Sequence, residues 1–295
     1  NYCTTDYNNL LNDEDINTIM VLTKHNSHAF FVEEALNKDK NVFVEKPLAL
    51  NKEQLENVVN SYNKSKGNLM VGFNRRFAPT TKFLKENIGD VDGGMVVNIR
   101  CNAGFVEHDS WVLDPEIGGG RIIGEVCHFI DLLNYLTDSH PVEVYGTPIN
   151  KNGKFLPNDN LTINVKMANG SVGSITYIAN GDKSFPRENV EIFYNNSVGI
   201  IDDFKRATFY DNGNKNKKRG FSVDRGHDNE YKNLIKMVRD NYKPVKLEDY
   251  IYTTLTTFAI EKSITDSKPI DVDINNLNVL NLKWLFEVFL AWKYY

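Results

Sequence analysis

The sequence predicts an α/β domain followed by an α+β domain, on three observations. The first 75 residues alternate short β-rich runs with helical segments, which is typical of βαβ units and a parallel sheet. From residue 76 onwards, several strand-like runs follow one another directly, which favours an antiparallel sheet with helices on one face. A length of 295 residues also favours two domains. We therefore place the α/β domain at residues 1–75 and the α+β domain at residues 76–295.

In the first domain, three β-rich runs predict strands buried on both faces. They are Thr18–Thr23, Asn41–Val44 and Asn68–Phe73. Ser27 is placed to cap a helix that runs to Lys38. Asn51 and Gln54 form a start that resembles a capping box, for a helix to about residue 66.

In the second domain, six runs predict short strands. They are residues 94–101, 142–146, 161–167, 171–179, 190–194 and 199–201. Helical patterns cover residues 124–136 and 229–239, and another lies near 251–263. Asn169-Gly170 is a hairpin signal. The Gly/Asn/Lys-rich stretch 211–219 predicts a mobile surface loop.

Composition excludes several classes of protein. There are 34 Lys and Arg against 39 Asp and Glu, and this negative balance argues against a nucleic-acid partner. Three cysteines cannot form a closed set of disulfides, which is typical of a cytoplasmic protein. No apolar run reaches the roughly 18 residues of a membrane span. The most apolar stretch, 284–292, predicts a packed helix, so we expect no membrane partner.

The sharpest local feature is Glu45-Lys46-Pro47, at the end of a predicted buried strand. Ligands bind outside the carboxyl ends of strands in open parallel sheets. A lysine held there can act as an acid or base. The Lys46–Pro47 bond is also a possible cis bond. The alternative is a surface salt bridge where the strand ends.

A second feature, Thr23 to His28, follows the preceding strand and opens a helix. It gathers His25, Asn26 and His28 where helix N–H groups converge, a natural contact for a nucleotide phosphate or ribose. Alternatively, His28 faces solvent in the first helical turn. His25 and His28 have no clear set of further residues at the spacing of metal ligands, so we expect no metal.

A third feature runs from Gly118 to Asp131. Three glycines allow the backbone to approach a ligand, and the helix that follows places His128 and Asp131 on one face. Alternatively, the histidine is satisfied in the core. Arg75, just after the third strand, can pair with carboxylates or bind an acidic substrate group.

Together these blocks resemble the glucose–fructose oxidoreductase / inositol dehydrogenase (Gfo/Idh/MocA) family. The matching blocks occur in the family's order at residues 23–28, 45–49, 71–77, 118–131 and 226–230. The resemblance implies a partial Rossmann domain followed by a domain with an open-faced, predominantly antiparallel sheet. It also implies an NAD(P)-dependent oxidoreductase that transfers a hydride between NAD or NADP and a secondary alcohol of a sugar, nucleotide-sugar or cyclitol.

The resemblance also implies roles for individual residues. Lys46 would lie between nicotinamide and substrate, and His128 would be a second acid/base residue. The cofactor-side positions would be Thr23, His25, Asn26, His28, Glu45, Lys46 and Pro47. The substrate-side positions would be Arg75, Arg121 and Asp131. The open sheet face predicts a homo-oligomer.

The sequence departs from the family pattern at two places. The family helix usually reads Asp-X-Gly-X-His, whereas Gly124 and Val126 occupy the first two defined positions. Glu125 would point about 100° away on a helix, so a proton relay would depend on Lys46 and His128 alone. The Gly-X-Gly-X-X-Gly turn expected upstream of Thr18 is absent. We therefore expect the chain to be truncated by about 50–60 residues relative to the family, without the segment that selects NAD or NADP.

Residues 120–128 resemble a subgroup in which this unit follows an alcohol-dehydrogenase-like domain, associated with bacterial surface polysaccharides. The main alternative function is a non-catalytic relative that binds a sugar or a partner, because the phosphate loop and the family's Asp are absent. A metal-dependent hydrolase using His25, His28 and His108 has no ligand spacing to support it.

Overall fold

Two β-sheets organise the protein in the computed structural model, which describes residues 3–149, except 90 and 92, and residues 157–279. One is a three-stranded parallel sheet, and the other is a nine-stranded, mostly antiparallel sheet. The predicted fold class is confirmed. The stretch 284–292, predicted to be a packed helix, lies outside the described residues. Within them, no helix is both long and apolar enough to cross a membrane.

The first sheet is built from βαβ units. In chain order the elements are α1 (Asn8–Leu11), β1 (Thr18–Val21), α2 (His28–Leu36), β2 (Asn41–Val44), α3 (Lys52–Lys64) and β3 (Leu69–Val71). The strand order is β1-β2-β3. β2 and β3 are almost wholly buried, as predicted. The same prediction is wrong for β1, where Met20 is 44% exposed, because β1 pairs only with β2 within the described residues.

Two helix starts in this part differ in their capping. The Asn51 side chain accepts a hydrogen bond from the backbone N–H of Gln54 at 2.9 Å. In return, the Gln54 side chain accepts one from the backbone N–H of Leu50 at 2.8 Å, which confirms the capping-box pattern. Ser27 makes no side-chain cap on α2. Its hydroxyl donates instead to the Thr23 hydroxyl, at 2.7 Å.

The second sheet carries its helices against one face. In chain order the elements are α4 (Pro79–Asn87), β4 (Val96–Asn102), α5 (Cys127–Thr137), β5 (Pro141–Pro148), β6 (Asn160–Met167), β7 (Val172–Ile178), β8 (Glu188–Tyr194), β9 (Ser197–Asp202), β10 (Arg206–Asp211), β11 (Asn214–Arg219), α6 (His227–Asp240), α7 (Leu247–Asp266) and β12 (Ile270–Asp271). The strand order is β11-β10-β9-β8-β4-β7-β6-β5-β12, with β4 and β7 parallel. α7 packs against β5 and α5, so the core lies between these helices and the sheet.

The expected loop at 211–219 is instead a β-hairpin. β11 pairs antiparallel with β10, with Asp211 opposite Asn214. Asn212 and Gly213 have φ angles of 47° and 81°, the positive values of a two-residue hairpin turn. The lysines of β11 lie on the exposed edge of the sheet, where charge opposes edge-to-edge pairing.

Candidate active site

A cavity of about 210 Å³ lies where the carboxyl ends of β2 and β3 face the second sheet. Residues from both halves of the chain line it. They are Glu45, Lys46, Gly72, Asn74, Arg75, His128, Arg187, Arg225 and His227. The structure therefore brings together four of the predicted site residues, namely Glu45, Lys46, Arg75 and His128. Both predicted catalytic side chains share one cavity.

Lys46 follows β2 directly and reaches across to the second half. The Lys46–Pro47 bond is cis, as expected. The Lys46 Nζ donates a hydrogen bond to the carbonyl oxygen of Gly124 at 2.8 Å. At Gly72, which follows β3, an added Cβ would lie 3.1 Å from the Glu45 Oε2. The floor of the cavity beside Glu45 is therefore bare backbone.

His128, in the first turn of α5, lines the cavity. The side chain is only 7% exposed, and its buried Nδ1 has no hydrogen-bond partner among the described residues. Burial lowers the pKa of His128 well below its usual value, and the nearby charges of Arg75 and Lys46 lower it further. The imidazole is therefore neutral near pH 7 and can accept a proton. A buried polar atom without a partner is costly, which marks this histidine as a candidate functional residue.

The two histidines of the segment 23–28 hold backbone together. The His25 Nδ1 contacts the carbonyl oxygen of Gly118 at 2.7 Å. Burial lowers the pKa of His25 to about 4, although this hydrogen bond opposes the shift. His28 is fully buried, and its ring nitrogens contact the carbonyl oxygens of Pro47 at 2.7 Å and Thr23 at 3.0 Å. The alternative of a solvent-facing His28 is therefore wrong.

Thr23 and Asn26 lie at the same edge of the sheet, outside the cavity. Thr23 is exposed and its hydroxyl accepts the hydrogen bond from Ser27. The backbone N–H of Asn26 donates to the carbonyl oxygen of Ile117 at 3.0 Å. This contact and that of His25 tie the end of β1 to the glycine-rich loop before α5.

Two predicted substrate residues lie away from this cavity. The Asp131 carboxylate is fully buried and accepts hydrogen bonds from the Arg76 Nε at 2.9 Å and Nη2 at 2.5 Å. Burial raises the pKa of Asp131 to about 6, although Arg76 opposes the shift. Asp131 therefore does not face substrate here, because its carboxylate is committed to Arg76. Arg121 donates to the Tyr177 hydroxyl at 2.6 Å and lines a separate cavity of about 980 Å³.

Glu125 lies on a π-helical turn, Ile122–Val126, rather than on the expected α-helix. Its Oε2 accepts a hydrogen bond from the Tyr177 hydroxyl at 2.7 Å and lies 3.5 Å from the Nη2 of Arg121. Burial would raise the pKa of Glu125, but Arg121 and the Tyr177 hydroxyl outweigh it and the pKa is lowered. Glu125 does not line the cavity.

Position 124, where the family pattern has Asp, has little room for a side chain. A Cβ added to Gly124 would lie 3.1 Å from the Cε1 of His25. That separation is tight, so the His25 ring would have to move. The carbonyl group of Gly124 is instead the part that contacts the site, through Lys46.

Sequence reasoning missed Arg187 and Arg225, which loops bring to the cavity beside the predicted Arg75. Arg75 donates to the Glu188 Oε1 from Nε at 3.2 Å and Nη2 at 2.5 Å, and the Arg225 Nε donates to the Oε2 at 2.7 Å. Burial would raise the pKa of Glu188, but Arg75 and Arg225 outweigh it and lower the pKa. Arg187 and His227 complete this wall. Within the described residues, no cluster of three His, Cys, Asp or Glu side chains could hold a metal ion.

Two family models match the chain. Residues 1–73 match the model described as "Oxidoreductase family, NAD-binding Rossmann fold", and residues 82–195 match the GFO/IDH/MocA C-terminal domain. Together these matches cover more than half of the chain. The chain belongs to the Gfo/Idh/MocA oxidoreductase family.

Curated relatives of this Gfo/Idh/MocA chain carry dehydrogenase or oxidoreductase names. The myo-inositol 2-dehydrogenase of Thermotoga maritima is 23% identical over 91% of this chain and 83% of its own length. The uncharacterized oxidoreductase YrbE of Bacillus subtilis is 30% identical over 49% of this chain and 42% of its own length. The inositol 2-dehydrogenase of Salmonella typhimurium is 32% identical over 48% of this chain. The matches to YrbE and the Salmonella enzyme thus span less than half of each relative, 42% and 41%.

Solved structures share this Gfo/Idh/MocA fold. A probable dehydrogenase from Thermotoga maritima has a TM-score of 0.75 at 22% identity, and the match covers 91% of this chain and 84% of that one. A levoglucosan dehydrogenase in complex with NADH and levoglucosan has a TM-score of 0.75 at 18% identity, with the same coverage of 91% and 84%. At these identities the likeness establishes the fold.

Proposed function

We propose that this chain is an NAD(P)-dependent oxidoreductase that transfers a hydride between a nicotinamide cofactor and a secondary alcohol of a sugar, nucleotide-sugar or cyclitol. The carrying observation is that Lys46 and His128 line one cavity at the carboxyl ends of parallel strands. The names of the inositol 2-dehydrogenase relatives and of the NADH complex of levoglucosan dehydrogenase support it.

The two side chains divide the handling of the proton. Lys46 lies at the strand end and donates a hydrogen bond to the reacting oxygen, which stabilises the developing carbonyl. His128 is buried and neutral, so its imidazole can accept the proton of the substrate hydroxyl. When bound, the nicotinamide ring supplies the acceptor for the hydride.

The residues present fit a cofactor at the carboxyl ends of β1 and β2. Glu45 lines the cavity, and Gly72 beside it leaves room for the Glu45 carboxylate because it has no side chain. We assign Thr23, Asn26 and Pro47 to the cofactor side of this edge. His25 and His28 support the same edge through backbone carbonyls.

The substitution Lys46→Met tests this proposal. We expect the wild-type chain to produce NADH or NADPH with a polyol or sugar, and Lys46→Met to lose about 10²–10⁴-fold in turnover. Stability should fall by no more than about 1–3 kcal/mol, because a single charged hydrogen bond is removed. The control is Lys166→Met, which removes an exposed salt bridge to Glu143.

Turnover by Lys46→Met near the wild-type rate would contradict the assignment. No turnover and no enhancement of NADH fluorescence by the wild-type chain would support the non-catalytic relative instead. The melting temperature of each variant is measured on the same protein preparation as turnover and fluorescence. A loss of turnover that comes from a folding defect would then be detected.

We also propose that the open face of the second sheet mediates self-association. Val96 on β4 lies opposite Val172 on β7 and Phe193 on β8, and the three are 48%, 43% and 40% exposed. A contiguous apolar patch of this kind favours burial against a second copy. Phe193→Lys should therefore reduce the mass measured by sedimentation equilibrium, and an unchanged mass would contradict self-association through this face.

We also propose that the first domain ends at residue 75 and the second begins at residue 76, shortly after β3 ends at Val71.

A further inference from the structure

We infer that the substrate carries an anionic group, a carboxylate or a phosphate, that Arg187 binds at the mouth of the cavity. This inference rests on the proposed function and names the substrate class of the same site. A neutral polyol or sugar alone would leave the features described below without a partner.

The side chains that line the cavity have an excess of positive charge. Four are cationic, and one, Glu45, is a carboxylate. The cationic side chains are Lys46, Arg75, Arg187 and Arg225. Charges in a partly desolvated site interact several times more strongly than in water, so an anionic ligand is favoured there.

Neighbouring carboxylates satisfy two of these arginines. Glu188, which is 1% exposed, binds Arg75 through Oε1 at 2.5 Å and Arg225 through Oε2 at 2.7 Å. The Arg225 Nη2 also lies 3.0 Å from Asp203. These two guanidinium groups therefore serve mainly to hold the wall of the cavity together.

Arg187 is different, because its contacts are long. Its Nη2 lies 3.5 Å from the Glu125 Oε2, and its Nε lies 3.8 Å from the Glu188 Oε1. The Nε is buried and has no hydrogen-bond partner among the described residues. Glu125 is in addition shared with Tyr177 and with Arg121.

The position of Arg187 also suits a ligand. Its side chain is 40% exposed, against 8% for Arg75, so it lies at the outer part of the cavity wall. A guanidinium presents a planar fork of N–H donors that matches the oxygens of a carboxylate or phosphate. Arg187 therefore places a guanidinium that has only long contacts at the part of the wall that is open to solvent.

The size of the cavity and its inner wall suit one sugar ring. His128 is 7% exposed and lines the cavity, where its neutral imidazole can contact a hydroxyl. A volume of about 210 Å³ is small for a drug-sized ligand and matches a single sugar ring. A ring with a hydroxyl at His128 and an oxyanion at the Arg187 guanidinium therefore contacts both side chains.

The test measures binding without turnover. D-glucuronate, D-glucose 6-phosphate and D-glucose are titrated into the full chain by isothermal titration calorimetry. We expect at least one anionic probe to bind at least 10-fold more tightly than glucose, with a preference that weakens as salt rises. The comparison of D-glucuronate with D-glucose 6-phosphate identifies whether the site binds a carboxylate or a phosphate.

Variants then assign the preference to Arg187. Arg187→Gln should remove most of the preference for the anionic probe, and Arg187→Lys should retain part of it. The matched control is Arg206→Gln, which removes a guanidinium from an exposed pair with Asp202 on the second sheet. The control should leave the preference unchanged.

Two results would overturn the inference. One is equal affinity for glucose and the anionic probes, or no binding of any probe to the wild-type chain. The other is a preference that survives Arg187→Gln. Tight anion binding without NADH formation would contradict the proposed function and leave this inference standing. NADH formation with neutral sugars and no anion preference would contradict this inference and leave the proposed function standing.

Discussion

The buried carboxyl group of Glu230 predicts a pH dependence of stability that a single substitution should remove. Glu230 lies in the first turn of α6, is 2% exposed, and its Oε1 has no partner among the described residues. Burial raises the pKa of Glu230 to about 8; Glu45 and Asp131 raise it further, and Arg75 opposes the shift. The group is therefore protonated in the folded protein near neutral pH.

The sign of the effect follows from proton linkage. An unfolded glutamate loses its proton near pH 4.3, so at pH values between this and about 8 the folded chain binds one more proton than the unfolded chain. The free energy of unfolding therefore falls as pH rises through this window, by about 1.4 kcal/mol per pH unit from this group. Glu230→Gln abolishes this contribution. Relative to wild type, the variant should gain about 4 kcal/mol of stability between about pH 5 and pH 8.

The assay is urea denaturation of both proteins at several pH values across this window. The difference between their free energies of unfolding cancels the other titrating groups. The control is Glu116→Gln, an exposed carboxylate, for which the difference should stay nearly flat. Parallel curves for wild type and Glu230→Gln would refute the reasoning.

Two further substitutions and one control test the packing of the site. Glu188→Gln should lower the free energy of unfolding by about 3–5 kcal/mol, because two guanidinium groups of the cavity wall lose a buried partner. Arg206→Gln, in an exposed pair, should cost no more than about 1 kcal/mol in the same denaturation experiment. Gly124→Ala should cost about 1–3 kcal/mol and lower turnover, because the added Cβ meets the His25 ring. A variant at Gly124 with normal stability and rate would show that this ring moves freely.

The sequence contained enough information to locate Lys46 and His128. Local patterns marked the lysine after β2 and the histidine at the start of α5 as candidates, with a surface salt bridge and a core histidine as alternatives, and the family resemblance assigned both to one site. The cis bond before Pro47 and the cap at Asn51 followed from the same local rules. Each of these signals depends on residues a few positions apart.

Other parts of the site depend on contacts between distant segments. Arg187 and Arg225 lie in loops without periodicity, and they reach the cavity only because β8 and α6 are placed by the second sheet. The π-helical turn before α5 breaks the 3.6-residue period on which the interpretation of Glu125 was based. In the strand β11, polar composition concealed the hairpin signal at Asn212-Gly213.

The hydrogen bond from the Lys46 Nζ to the Gly124 carbonyl oxygen has a consequence for protein engineering. The proposed proton-handling side chain lies on one half of the chain, and the backbone group that accepts its hydrogen bond lies on the other. A chimera that takes the first sheet from one relative and the second sheet from another would separate these partners. We therefore expect that recombination must transfer residues 44–47 and 118–128 as one unit to preserve activity, and that the loop with Arg187 can then be exchanged to test the proposed choice of substrate.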